Sequence, residues 1–416
     1  MRNQKLVWAL LALVVIAGLV SQIPAVKNRL LWGYIQAEAW TRGALNPAGE
    51  IPTPLPSPTG QPTATPPAST LTPTQILAQV QPATATIVPP TPTPLPASAY
   101  LEPPEWERQD INGCGPATLS MYLRYYGWDG DQDSIDEVIK PIPADRNVNV
   151  EELDYFVRVY AGWLNVLYRV GGDTDTLKAL IAAGIPVMIE EGDELEEEFW
   201  PNDDMWAGHF LLLTGYDDAQ SSFYAQDSFR QADRLVSYEK TDQRWKYFNR
   251  VYLVIFLPHQ EETVRQILGA DWDVDFNRQK ALETAQAEID TDPQDGLAWF
   301  NLGSNLVYFE RYAEAAEAYD QARIHGLPQR MLRYQFGPYH AYYHTGRYEE
   351  LLSISNYTLQ ISGNASEEAL LWKGWALYHL GDSPGAIEAF RDSYWANTKD
   401  PLGQALYALE FMGAAP

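Results

Sequence analysis

A single cysteine, Cys114, occurs in 416 residues, within the run QDINGCGPATLSMYLRYYG from Gln109 to Gly127. A Gly-Cys-Gly-Pro turn opens a stretch in which Leu119, Met121, Tyr122, Leu123, Tyr125 and Tyr126 recur as the buried face of an amphipathic helix. Pro116 suits the first helical turn, where a missing N–H has no partner to lose. Cys114 is therefore expected at the positive end of a helix, where free N–H groups and aligned dipoles favour thiolate over thiol. A lone cysteine is otherwise a small buried hydrophobe, so its neighbours decide what it can do. Gln109, five positions upstream, can bring a side-chain amide beside the Cys114 N–H to hold an oxyanion. His209 heads an apolar run, HFLLLTGY, and Asp227 lies in the next one, FYAQDSF. Turn residues Asp217 to Ser222 separate the two runs. In an antiparallel hairpin their side chains come out nearly opposite, as a base and its orienting carboxylate must.

Taken together these residues carry a resemblance. Gln109, Cys114-Gly-Pro-Ala, Leu119, Met121 and Tyr125-Tyr-Gly, then Gly208-His-Phe, Gly215-Tyr-Asp-Asp and Asp227, are similar to the C39-like branch of the papain-like cysteine peptidases. The resemblance runs over about residues 100 to 260. It implies an α+β papain-like domain that hydrolyses peptide bonds, after a double-glycine leader in members fused to transporters. Cys114 would be the nucleophile, His209 the base, Asp227 the group fixing the imidazole tautomer, and Gln109 part of the oxyanion hole.

The surrounding elements read as scaffolding. Helices are expected over 134–140, 149–161, 173–183, 238–247 and 261–270, and strands at Pro186–Glu191 and Val251–Leu257. Asp129, Asp131 and Asp133 begin like a calcium loop, but Ser134 stands where glycine is required and Lys140 where the last glutamate belongs; capping explains them better. His340 and His344 have metal-pair spacing without a carboxylate or cysteine framework. No metal and no cofactor is expected.

Residues 6 to 25, LVWALLALVVIAGLVSQIPA, are long and apolar enough to cross a bilayer, behind Arg2 and Lys5. The run exceeds a usual signal core and lacks a small-x-small cleavage site, so an uncleaved anchor is expected over 1–27. Residues 28–50 would form a juxtamembrane segment with its aromatic residues at the interface. Residues 51–98, rich in Pro, Thr, Ala and Ser, read as an extended stalk that reaches on the order of 140 Å at about 3.1 Å per residue. The peptidase domain follows at 99–260. The C-terminal part is thereby expected outside the cell membrane, on a single-pass protein. A net charge of -26 argues against nucleic acid and against an anionic lipid surface.

Residues 274–416 switch to tandem helices similar to tetratricopeptide repeats. Trp299, Leu302, Gly303, Ala315, Tyr319 and Ala322 fit that template, and Gly303 and Ala315 return as Gly374 and Ala386, 71 residues on. The middle copy is degenerate, with Pro338 where a helix interior belongs. This all-α domain is expected to recruit a protein partner or substrate while sharing few contacts with the peptidase. Two function classes follow: an anchored cysteine peptidase acting on peptides or proteins, or a non-hydrolytic peptide-binding adaptor. An acyl transferase using the same triad is a further reading.

Overall fold

The computed structural model describes residues 24–45, 47, 49–55, 94–140, 147–362, 365–400 and 403–416. The apolar run at 6–25 falls outside these, except for its last two positions. Among the described residues no helix is long and apolar enough to cross a membrane.

The elements, in chain order, are α1 (Pro24–Leu45), β1 (Ser98–Tyr100), α2 (Cys114–Tyr125), α3 (Gln132–Ile139), α4 (Val150–Tyr160), β2 (Asn165–Arg169), α5 (Thr174–Ala182) and β3 (Val187–Glu194). There follow β4 (Trp206–Asp217), β5 (Ser222–Gln226), β6 (Arg234–Ser237), α6 (Tyr238–Trp245), β7 (Tyr252–Phe256) and α7 (Glu261–Leu268). The remainder is helical: α8 (Val274–Thr291), α9 (Gly296–Tyr308), α10 (Tyr312–His325), α11 (Met331–Tyr334), α12 (Gly337–His344), α13 (Tyr348–Ser362), α14 (Glu367–His379), α15 (Ser383–Ala396) and α16 (Gln404–Phe411).

All seven strands form one antiparallel sheet in the order β2-β7-β3-β4-β5-β6, with β1 pairing the far end of β4. Alternation along the strands feeds two cores. Met188, Phe210, Leu212, Leu253 and Ile255 face α2 and α4, whereas Val187, Ile189, Leu211, Leu213 and Val254 face α5 and α7. Burial on both faces explains why β7 reads as an unbroken apolar run. The helices start where their caps dictate. Asp131 and Asp173 accept from Ser134 N and Thr176 N, and Asn149 with Glu152 forms a capping box. Asp131 is thus spent as a helix cap.

The helical region departs from the expected arrangement in two ways. Pro338 lies in the first turn of α12, behind the four-residue α11, so the helix expected across this position is split just before the proline. Secondly, this region is not loosely appended. Leu119, Leu153, Phe210 and Leu212 belong to the same buried cluster as Phe300, Tyr319, Met331 and Ile354. Asn277 donates to Val170 O at 2.8 Å and accepts from Val170 N, and Asn249 donates to Asn305 at 3.0 Å. Arg330, 2 % exposed, pairs with Asp203 at 2.5 Å and lies 4.0 Å over the Trp200 ring. Polar side chains of this kind inside an apolar cluster hold register as well as area.

The N-terminal segment is likewise part of the body. Ile35, Ala39 and Gly43 form a stripe on α1; Trp32 meets Phe199 edge-on at 5.3 Å, and a Cβ at Gly43 would lie 2.4 Å from Trp200 Cβ. Arg42 donates to Ile361 O at 3.3 Å, Tyr357 to Gly49 O at 3.2 Å, and Ile51 is buried in the main core. The stalk expected from Ile51 onward therefore begins inside the fold. Both flanks of 56–93 are packed on one body, since Tyr216 donates to Pro96 O at 2.7 Å. The proline-rich stretch joins two points of that body instead of spacing it from residues 24–45.

Asp203→Ala would strip the buried Arg330 guanidinium of its two-oxygen partner, leaving only Asp204 at 3.4 Å and Trp206 O, with an expected loss of up to roughly 3–5 kcal/mol in urea unfolding. Because the core is shared, far-UV circular dichroism and tryptophan fluorescence should report one coincident transition. Two separated transitions would contradict a common core.

Candidate active site

Cys114 is the first residue of α2, with Gly113 as N-cap. Thr118 Oγ1 donates to Phe210 O at 3.3 Å, and Gly115 approaches so closely that a Cβ there would meet Val148 Cβ at 3.3 Å. These contacts seat the helix end against β4, one position from His209. The preceding loop is clamped from outside. Gln132, 6 % exposed, accepts from Asp110 N at 2.7 Å and donates to Arg108 O at 2.8 Å, bracketing Gln109 on both sides. Buried Lys140 donates to Ile111 O at 3.2 Å. Gln109 N donates to Ser228 O at 2.9 Å, and its side-chain oxygen accepts from Ser228 Oγ at 3.0 Å. With the oxygen so engaged, the amide nitrogen is the donating end left to act.

His209 lies on β4 opposite Glu191 of β3. Its Nε2 is 2.9 Å from Asp227 Oδ1, which leaves Nδ1 as the ring nitrogen available to Cys114, whose influence raises the pKa of the imidazole. The hairpin register differs from the expected one. Gly215 pairs with Tyr224 and Leu213 with Ala225, a bulge at Thr214, so Asp227 carried onward falls opposite Leu211, two residues from His209. The pair meets diagonally, within imidazole reach. Asp227 lies just beyond β5, in a turn where its N–H donates to Gln231 O at 3.1 Å.

The carboxylate of Asp227 is fully buried and met by donors on both oxygens. Oδ1 accepts from His209, Phe229 N and Arg230 N, the latter two at 3.0 Å, and Oδ2 from Arg234 at 2.6 Å. Burial alone would raise its pKa; these donors, His209 first, instead hold it well below the usual carboxylate range. For His209 burial favours the neutral ring, but the hydrogen bonds to Asp227 and Cys114 push it up to about 10. At Cys114 burial opposes the thiolate. The His209 hydrogen bond and charge, with the Phe210 and Gly115 N–H groups, outweigh it and lower the thiol pKa. The arrangement stores a thiolate beside an imidazolium, which is the reactive state of a nucleophilic cysteine.

A ring of charge backs this pair. Arg230 and Arg244 both pair with Asp193, and Arg244 lies 3.6 Å from Glu191. Burial raises Glu191 to about 7 despite His209 and Arg244. Gln132, Lys140, Ser228, Arg234 and Glu191 went unnoticed in the sequence. Their partners lie 7 to 119 positions away, and none belongs to a periodic or motif pattern. The other histidines of interest are packing groups: His344 stacks on Tyr312 at 4.1 Å, and His340, pushed down to about 4 by burial, meets Trp372 at 4.6 Å. Among the described residues no cluster could hold a metal ion.

Residues 100–253 match the Peptidase_C39 like family. The C39-like region thus contains Gln109, Cys114, His209 and Asp227, while α1 and the helices from α7 onward lie outside the match. No curated protein matches the chain. Similar solved structures include a C39-like peptidase from Bacillus anthracis, at 19 % identity, with 38 % of this chain and 96 % of that one covered and a TM-score of 0.30. Another is a double glycine motif protease from an AMS/PCAT transporter in complex with the leader peptide, at 17 % identity, 38 % and 94 % coverage and a TM-score of 0.28.

Since the thiol pKa is lowered and that of His209 raised, thiolate and imidazolium should coexist between the two values. Iodoacetamide alkylation of Cys114 should stay fast well below the free-cysteine pKa of about 8.5. His209→Ala removes the leading stabilisation and should move the alkylation midpoint upward. An ordinary midpoint that ignores this substitution would remove the ion pair from consideration.

Proposed function

We infer that the C39-like region is a cysteine peptidase, with one observation carrying the reading: His209 is held through Nε2 by buried Asp227, beside a cysteine at a helix N-terminus with which it interacts electrostatically. The Cys114 thiolate attacks the carbonyl carbon of a peptide bond. The C–O π electrons move to oxygen, and the oxyanion is received by the Cys114 N–H and the Gln109 side-chain amide. His209 then gives its Nδ1 proton to the departing amine as the C–N bond breaks, leaving a thioester. Water, deprotonated by the now neutral imidazole, attacks that thioester and the C–S bond breaks. Asp227 keeps the Nε2–H directed at itself throughout, so the other nitrogen is the one that exchanges protons.

Membrane attachment belongs to the same reading. Residues 6 to 25 anchor the chain, which holds the peptidase body close to the bilayer because α1 follows immediately and is packed on that body. The peptidase lies outside the cell, and the helical region recruits a protein partner or substrate. Protease added to intact cells should cut within 56–93. Protection of that stretch until lysis would refute the topology.

On a quenched peptide library, Cys114→Ala and His209→Ala should abolish turnover. Asp227→Asn should lower kcat by roughly 10⁴-fold through the wrong imidazole tautomer. Gln109→Ala should cost about 10²-fold or more in kcat with the alkylation profile of Cys114 unchanged. A folded protein whose Cys114 ignores thiol-directed peptidase probes and whose library stays uncut would be the adaptor instead.

A further inference from the structure

Between α10 and α13 two charged side chains are buried yet serve a segment some 270 and 295 residues distant. Arg323 and Glu350 are each 3 % exposed and pair with one another. Arg323 uses its whole fork: Nε donates to Pro52 O at 2.8 Å, Nη2 donates to the same carbonyl, and Nη1 donates to Tyr342 Oη and to Glu350. Glu350 Oε2 accepts from Leu55 N at 2.9 Å. Tyr357 donates to Gly49 O, and Gln360 to Pro47 O at 3.4 Å. Ile51 sinks into the core, and beyond it half-buried Pro52 and Pro54 alternate with exposed Thr53 and Leu55, as in an extended chain.

This chemistry selects a particular ligand. A proline-rich strand offers carbonyls without competing N–H groups, and its backbone is extended before it binds, so little order has to be imposed. A buried guanidinium fork reads one carbonyl, and a carboxylate reads the N–H available three residues later, after Pro54. Side-chain selection falls on the residue before Pro52. The backbone pattern read here occurs twice in the sequence, as Pro52-Thr-Pro-Leu-Pro56 and Pro92-Thr-Pro-Leu-Pro96, with Thr91 in the second where the first has Ile51. The last residue of the second copy also presents its carbonyl to a donor, Pro96 O accepting from Tyr216.

We propose that the α10–α13 cleft is a binding site for extended Pro-Thr-Pro-Leu peptides, held in this structure by residues 51–55 of the same chain and open to the same peptide in trans. The cis strand makes the site self-occupied, so a competing proline-rich segment has to displace it. The site rests on the helical region alone and stands whether or not Cys114 is catalytic.

The test uses a fluorescent peptide with the sequence of residues 49–57 and the full chain. Ile51→Asp should eject the cis strand and let the peptide bind one to one, whereas the unmodified chain should bind it at least about tenfold more weakly, its site being mostly filled. Adding Arg323→Lys, which keeps charge and loses the fork, should weaken the peptide again by roughly tenfold. A natively folded Ile51→Asp chain that fails to bind, or binds a scrambled peptide equally, would overturn the proposal. Should Ile51→Asp not fold, hydrogen exchange on the unmodified chain decides. Excess peptide should expose the Leu55 amide, and unchanged protection would overturn the proposal equally.

Discussion

One buried charge constrains the C39-like part of this molecule. Asp227 has no exposed surface, so its ionised form persists only because donors reach it from four directions. Two are backbone N–H groups of its own turn, one is Arg234 on the neighbouring strand, and the last is His209. An ionised group without them would neutralise or unfold the site. Satisfying Asp227 therefore fixes the turn after β5, the Thr214 bulge that sets the hairpin offset, and the imidazole plane. Once that plane is fixed, the remaining ring nitrogen has one direction to point, and the α2 terminus brings Cys114 to it.

The same logic acts on the loop before α2. Gln109 and Cys114 are separated by a turn with Asn112 at positive φ, closed by Gly113 N donating to Asp110 O at 3.1 Å. Gln132 and Lys140 hold that turn from outside, by bonding to Arg108, Asp110 and Ile111. These are positioning residues on α3 and just after it. The aspartates that precede α3 serve its start, which is why a calcium-like spacing arises without a calcium site.

At the scale of the whole chain, the helical region and residues 24–55 are packed into the peptidase body. The apolar cluster runs through both, and Arg330, Asn277, Asn249 and Arg323 occupy it with partners fitted on all sides. Buried polar contacts of this sort penalise any shifted docking, since a slip of one residue would strand several donors at once. The proline-rich stretch begins and ends on that body, so its length adds no reach to it.

The four side chains of the candidate site and most elements that hold them are legible in the residues alone, because each leaves a local trace. A cysteine before a helix, a histidine heading a strand and an acid after the next turn are visible as short-range pattern, and caps such as Asp131, Asn149 and Asp173 are visible one turn ahead of their helices. The diagonal meeting of His209 and Asp227 was not visible, since the hairpin closes between Ala219 and Gln220, about a residue and a half beyond 218, midway between the two, and the bulge at Thr214 takes back only one position. Nor were Gln132, Arg234 and Glu191, whose importance lies in which distant atom they meet. The same holds for the shared core and for the docking of Ile51 to Leu55: proline and threonine composition announces an extended backbone, and only the buried Arg323–Glu350 pair, with Nε, Nη2 and Oε2 turned to the strand, decides that the extended chain is bound. Periodicity and caps are short-range properties that sequence determines, whereas burial and pairing over hundreds of positions exist only once the tertiary fold has chosen the neighbours.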